Sequence, residues 1–436
     1  MDTENNTAEV KPIVEGYGDR RKASIQVIPN VLQQHADIAV YQAESIYYSQ
    51  RSSAFSLNDL VNEEERLEAN IDGLFISDHE GTPYYKKVIL KDDYGELFAA
   101  TVLSIKLRDD SLFETIFELA EDNEYLLNAI ADALIWLPYS GVSLYLDLLY
   151  NTRKPEKQYV AIAASAGHRR INIRHLVDAL SSANMMLLAR AIIAVAELGE
   201  ESLASKIEGY LVHKEESIRF SANWALTRFG NADAMNNLNR FLFNPLYAER
   251  AIFFEVMQKD INKTVYLLRH LFQNNETKRL AVFGMGLLGN PASIDSLIKV
   301  MYEDELARVA GEAFSFITGL NLDYENFDQD SPEGFESGPN DNPKDENVEM
   351  DRDEDLPWPN PTLIARWWEE NKKNFSPQKK YIFGKEMSML QFKEVLIHGT
   401  QIQREFSALA IAVRQRNQPI FNTKAPAKRQ IQLLGL

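Results

Sequence analysis

Small and apolar residues along the chain gather into blocks that return every 29 to 31 positions. The middles of successive blocks fall on Leu103, Ala133, Ala164, Ala194, Ala225, Phe254, Gly284 and Ala313. Each period divides into two helices. The first is Ala-rich and apolar on most sides, as in "LLARAIIAVAELG". It often closes on a glycine (Gly199, Gly230, Gly289), the residue that best accepts the left-handed conformation ending a helix. The second is shorter and carries leucine-type spacing, as in "SLASKIEGYL", "DAMNNLNRFL" and "KTVYLLRHLF". Two helices in about thirty residues, with apolar stripes too wide for one partner, predict hairpins that stack on one another.

This pattern predicts an all-α chain, an α-solenoid (superhelix) of about eight HEAT-like helical hairpins over residues 91–322. Residues 1–24 read as a flexible N-terminus. Residues 25–90 read as an N-terminal helical cap of two amphipathic helices. In the second, Leu60, Leu67, Ile71 and Leu74 share a face, and Ser56 with Asp59 resembles a capping box. Residues 323–355 are rich in acid, Pro, Gly and Asn and poor in aliphatics, which predicts a disordered, solvated acidic segment. Residues 356–436 read as a C-terminal helical extension. Asn360 and Pro361 start one helix there. "QIQREFSALAIAVRQR" is a further helix expected to close the array, and a basic tail, "KAPAKRQIQLL", follows.

Composition narrows the chemistry. The chain has no cysteine, which excludes disulfides, thiolate metal sites and cysteine nucleophiles. Its seven histidines lack the i, i+4 spacing of a helical metal site. Absence of a long apolar run or an apolar leader predicts a cytoplasmic chain without membrane insertion. The net charge is −18, and residues 323–355 hold 14 Asp/Glu against Lys344 and Arg352. The remainder is close to balance, which disfavours nucleic acid as a partner.

Candidate sites are few. Asp351, Asp353 and Asp355 alternate like a calcium loop, but Leu356 and Thr362 stand where Gly and Glu are needed. The pair His79–Glu80 occurs once, too few for a di-iron cage. Trp136 and Trp224 fit core packing better than a nucleic-acid face. No catalytic residue, metal or cofactor is expected. The residues proposed to bind a protein are a column on the second helices and three tryptophans. Two positions before the second-helix anchors stand Asp147, Asp178, Arg240, His270 and Lys299. If second helices line the concave side, these charges grade from acidic to basic and would orient a partner of opposite polarity. Unrelated solvated charges are the alternative. Trp358, Trp367 and Trp368 either dock their segment onto the last repeats or anchor a partner.

The ends, "NVLQQHADIAVYQ", "LNDLVNEEERLEANIDGL", "DEDLPWPNPTLIARWWEEN" and "KAPAKRQ", resemble a family of bacterial HEAT-repeat proteins of uncharacterised function, over nearly the whole chain. Its members are commonly encoded beside type VI secretion spike and effector genes. The resemblance implies a non-catalytic adaptor or chaperone-like accessory whose partner is a secretion spike, effector or toxin. An immunity protein that inhibits a toxin is the alternative. A HEAT-like DNA glycosylase or lyase is the third reading.

Overall fold

The computed structural model describes residues 28–78, 93–258, 260–335, 337–338 and 351–436. The expected flexible N-terminus (1–24), the His79–Glu80 pair and the middle of the acidic segment lie outside the described residues. The chain is predominantly helical. It opens on the hairpin α1 (Pro29–Ser49) and α2 (Leu57–Asp78). The Ser56–Asp59 box forms as expected: Asp59 Oδ2 accepts from the Ser56 amide at 2.8 Å, and the Asp59 amide donates to Ser56 Oγ at 3.4 Å.

Seven helix pairs follow, matching the sequence period: α3 (Tyr94–Leu107) with α4 (Asp110–Ala120), α5 (Glu124–Trp136) with α6 (Tyr139–Asn151), α7 (Pro155–Gly167) with α8 (Ile173–Ala179), α9 (Met185–Leu198) with α10 (Ala204–Ile207), α11 (Glu216–Arg228) with α12 (Ala232–Leu238), α13 (Ala248–Gln258) with α14 (Ile261–Phe272), and α15 (Asn275–Leu288) with α16 (Ile294–Val300). An eighth first helix, α17 (Asp304–Thr318), comes next. Each first helix packs on the first helix of the neighbouring pair. Asn and Asp caps start many of them, because their short side chains satisfy the first free amides: Asn123 for α5, Asn184 for α9 and Asn274 for α15. Second helices are tied to their neighbours more sparsely. Tyr150 donates its hydroxyl to the His175 carbonyl at 2.9 Å, and Tyr210 to the Leu180 carbonyl at 2.7 Å.

The partner of α17 is not contiguous with it. After the acidic segment, α18 (Pro361–Asn371) returns and packs against α16. Ile364 and Trp368 join the apolar cluster of Leu297, Val309 and Phe314, while Asn360 caps α18 by accepting from the Leu363 amide at 3.1 Å. The first helix of the expected extension thus completes the last pair.

The acidic segment is also less free than its composition suggests. Gln329 donates to the Trp358 carbonyl and Asn360 to the Phe327 carbonyl. Asp353 is buried, with Arg279 gripping its carboxylate through Nε at 3.1 Å and Nη2 at 2.5 Å. Arg308 holds Asp351 Oδ2 at 2.5 Å and the Asp353 carbonyl at 2.9 Å. A solvated run was expected at these two aspartates. Two array arginines instead convert them into anchors, because fork-shaped guanidiniums bind carboxylates in pairs of bonds.

The rest of the extension departs further from expectation. A short hairpin of β1 (Tyr381–Ile382) and β2 (Lys385–Glu386) leads into α19 (Met389–His398), α20 (Gln401–Arg414) and α21 (Ala427–Leu434). Helix α20 does not cap an end. Its Phe406 is buried between Phe253 of α13, Phe316 of α17 and Phe392 of α19, a contribution of about 1.5–3 kcal/mol from one ring. The remaining segments form a strap that first meets the late helices and, from residue 416 on, runs back along the array. Tyr381 donates to the Gly289 carbonyl, Phe383 to Phe316, and Ile420 to Glu197. Asn422 Nδ2 then donates to the Gly167 carbonyl at 3.0 Å, and Arg429 to those of Ile135 (2.7 Å) and Leu137 (3.0 Å).

The physical reason is shared by all these contacts. Helix C-termini end in carbonyls without intrahelical partners and carry partial negative charge. The strap supplies amides and cations to them, one helix after another. The glycines read as helix stops serve it as well. At Gly199 (φ +76°) an added Cβ would lie 2.6 Å from the Gln418 carbonyl, and at Gly289 (φ +68°) it would collide with that of Tyr381.

The strap finally reaches the N-terminal hairpin, where the Ala427 amide donates to Glu64 Oε2 at 2.7 Å and Lys428 pairs with Glu65 and Glu68. The tail read as merely basic is therefore a docking element. The loop after α1 meets the other end: Gln401 donates to the Phe55 carbonyl, and Ser53 hydrogen-bonds the Glu312 carboxyl.

Candidate functional site

The sequence-predicted column occupies the outer layer. Asp147, Asp178, Arg240, His270 and Lys299 are all exposed on second helices. The opposite side of the first helices is where the strap and α20 lie, so the first helices are sandwiched and the second helices face solvent. The expectation that second helices line an inner surface is corrected on this ground.

The tryptophans are engaged within the chain. Trp368 is buried, donates Nε1–H to Asp295 Oδ1 at 3.0 Å and packs on Phe375. Trp367 meets Phe314 edge-on at 5.7 Å. Trp358 packs against Phe335, with the Arg308 guanidinium 4.8 Å over its ring. All three dock their segment onto the last helices, the first of the two roles weighed for them. Trp136 and Trp224 sit beside Phe98 and Phe254 in the core. Among the described residues, no group of three or more His, Asp or Glu is arranged to hold a metal. No helix there is long and apolar enough to cross a membrane.

Sequence reading missed a second cluster of charged and tyrosine side chains, lying between the first helices and the strap. Arg190 of α9 pairs with Glu197 at 2.7 Å, about two turns along the same face of the helix. Lys424 of the strap stands 3.6 Å from Glu405 of α20. Tyr94 of α3 donates its hydroxyl to Asp132 of α5 at 2.8 Å, and the buried Tyr159 of α7 donates to Asn128 at 2.8 Å. Arg250 of α13 lies over the rings of Trp224 (4.8 Å) and Phe220 (5.2 Å) and makes no hydrogen bond to a described residue. Arg51 closes the group from the end of α1, stacked 3.7 Å over Tyr47.

These groups feel one another. Burial raises the Asp132 carboxyl, against the pull of Arg51, Lys424 and Arg190. Burial lowers Lys424 and Arg250, and each is opposed by the nearby Glu405. Glu197 goes the other way: Arg190 and Arg169 hold it below its ordinary value despite burial. Surrounding protein thus partly desolvates the cluster, while Arg51 and Arg250 keep exposed side chains, so the cluster opens to solvent.

No sequence signal marks the cluster, because its members come one or two per repeat and only curvature and the strap bring them together. Comparison with family models, curated proteins and solved structures finds no match.

Proposed function

We propose that the chain is a HEAT-like α-solenoid acting as a cytoplasmic, non-catalytic protein-binding scaffold, an adaptor or chaperone-like accessory for type VI secretion spike or cargo. The observation that carries this reading is the outer layer. Large apolar side chains stand exposed on or beside the second helices α6, α12, α14 and α16: Leu144 and Leu148, then Phe243 and Leu246, Tyr266 and Tyr302, with exposures of 52 to 79%. They alternate with the Asp147-to-Lys299 charges. Apolar side chains rimmed by charge on a rigid frame suit a protein partner, which gains area without ordering the scaffold. The serial packing of first helices supports the repeat reading, and the end motifs supply the secretion context.

Co-expression with the neighbouring spike and effector proteins tests it. Co-purification is expected for the parent and lost in Leu148→Glu combined with Tyr266→Glu, with circular dichroism unchanged. Retained capture by that variant, or no capture by the parent, defeats the proposal. An immunity protein would instead rescue cells from one toxin. The bonds of Asp351 and Asp353 to array arginines leave that alternative fewer free acids with which to shield a basic toxin.

A glycosylase or lyase is the third reading, favoured by one observation: a carboxyl, Asp132, beside the cations Arg51, Lys424 and Arg190. Base release from alkylated duplex DNA, abolished in Asp132→Asn, would support it.

A further inference from the structure

A cavity of about 270 Å³ opens where α13 ends, walled by the array on one side and by the β-hairpin, α19 and α20 on the other. Much of its lining is apolar: Met257 of α13, Met387 after β2, Phe392 of α19 and Phe406 of α20, the two rings 6.4 Å apart at their centroids. Four charged side chains, Lys379, Lys380, Glu386 and Arg414, line it as well. Lys379 and Glu386 pair at 2.5 Å and offset one another. Lys380 and Arg414 are held differently. The half-buried Lys380 donates Nζ to the Val256 carbonyl at 2.6 Å. Arg414 Nη1 donates to the Ala410 carbonyl at 2.8 Å, while its guanidinium lies 5.0 Å over the Phe392 ring. Both acceptors are neutral carbonyls, so each cation keeps its charge and most of its donors. Asp260 attracts Lys380, but its carboxylate is engaged in capping α14, where it accepts from the Asn262 (2.9 Å) and Lys263 (3.4 Å) amides. Burial, and then the charge of Arg414, push Lys380 down from 10.5 to about 8, the response of an ammonium that meets another cation in a partly dry site.

We propose that this cavity binds a carboxylate carried on one aromatic or branched apolar group, with the acid held between Lys380 and Arg414 and the hydrocarbon packed on Phe392, Phe406 and the two methionines. The volume sets the size. Sites for drug-sized ligands run to about 300–1,000 Å³, so this one takes a single ring or its equivalent. The lining sets the class. A guanidinium fork and an ammonium together match the oxygens of a carboxylate. With Lys379 engaged by Glu386, the two remaining cations are partly offset by Asp260, which suits one negative charge better than two. Methionine thioethers adapt to ligand shape and contact rings favourably. A free small acid and the last residue of a peptide share this chemistry. None of the exposed apolar residues of the outer layer lines the cavity, so the site stands apart from the docking surface.

The test is calorimetric titration of the full chain with phenylacetate, with its neutral counterpart phenylacetamide, and with a tripeptide ending in phenylalanine. Phenylacetate is expected to bind at one site per chain and the amide far more weakly. Each of Lys380→Met and Arg414→Gln should weaken phenylacetate about tenfold or more, the loss of one charge-assisted bond. Thermal unfolding without ligand checks that both variants keep the fold. Arg414 is exposed, so its variant decides alone if Lys380→Met does not fold. Tighter binding of the tripeptide assigns the site to a chain end, and equal or weaker binding assigns it to a small acid. No heat from either acid, equal binding of the amide, or affinity retained in Arg414→Gln overturns the proposal.

Discussion

Arg228, on the last turn of α11, reaches 188 positions along the chain to hold the Arg416 carbonyl at 2.5 Å, and its second Nη donates to the Gln418 carbonyl. The side chain is fully buried, and burial lowers its pKa to about 10. One guanidinium therefore joins an array helix to the strap with no carboxylate bonded to it.

Replacing Arg228 by Met removes both bonds and leaves two carbonyls without donors. A loss of about 2–4 kcal/mol is expected. Hydrogen exchange should rise first in residues 416–422, ahead of α11 itself. Uniform loss of protection across the chain would show that the strap is not a separate unit.

Two buried carboxyls predict an alkaline weakness. Burial pushes Glu64 from 4.5 up to about 7 and Glu312 up to about 8. In those windows the folded chain keeps protons that the unfolded chain releases above 4.5. Their contribution is therefore full below pH 4.5 and lost as pH rises through 7 and 8. Glu64→Gln should gain about 1–2 kcal/mol over the parent at pH 9 and nothing at pH 5, read by urea unfolding at the two pH values.

His168 predicts the opposite at the acid side. Its Nε2 faces the Leu134 carbonyl at 2.9 Å, which can only accept, so Nε2 carries a proton and donates it there. Burial lowers its pKa from 6.5 to about 4. The unfolded chain then takes up the proton first, and stability that is full above pH 6.5 declines as pH falls through 4. His168→Gln should flatten this slope in thermal melts between pH 6.5 and 4. An unchanged slope would assign it to other groups.

Asp353→Asn should cost about 2–3 kcal/mol, because Arg279 loses a charged acceptor in a buried setting. Limited proteolysis should show faster cleavage near residues 351–355. Trp368→Phe, which removes the bond to Asp295 and part of the buried ring, should cost about 1–3 kcal/mol and leave that segment protected.

How far the chain could be read in advance follows from where the information sits. The repeat was legible because Leu103 through Ala313 are local marks, set by the needs of each helix. The capping pairs Ser56–Asp59 and Asn360–Pro361 were legible for the same reason. The helix Gln401–Arg414 was legible as a helix, but its place and the course of the strap were not, since Asn422, Arg429 and Ala427 are polar or small residues whose partners lie hundreds of positions away. Composition likewise misread Asp351 and Asp353. An aspartate opposite a buried arginine looks, along the chain, like one in solvent. The charged cluster was illegible by construction, as Arg190 and Arg250 belong to two different periods and Lys424 to the strap.

The reversed course of the strap changes how the molecule should come apart. A stack of repeats with free ends loses its terminal units first, each at little cost to the next. Here the last residues clasp the first hairpin, so neither end can fray without releasing contacts along the whole stack. Unfolding should be a single sharp event instead of a gradual unzipping. Folding should be slowed by the need to close so long a loop.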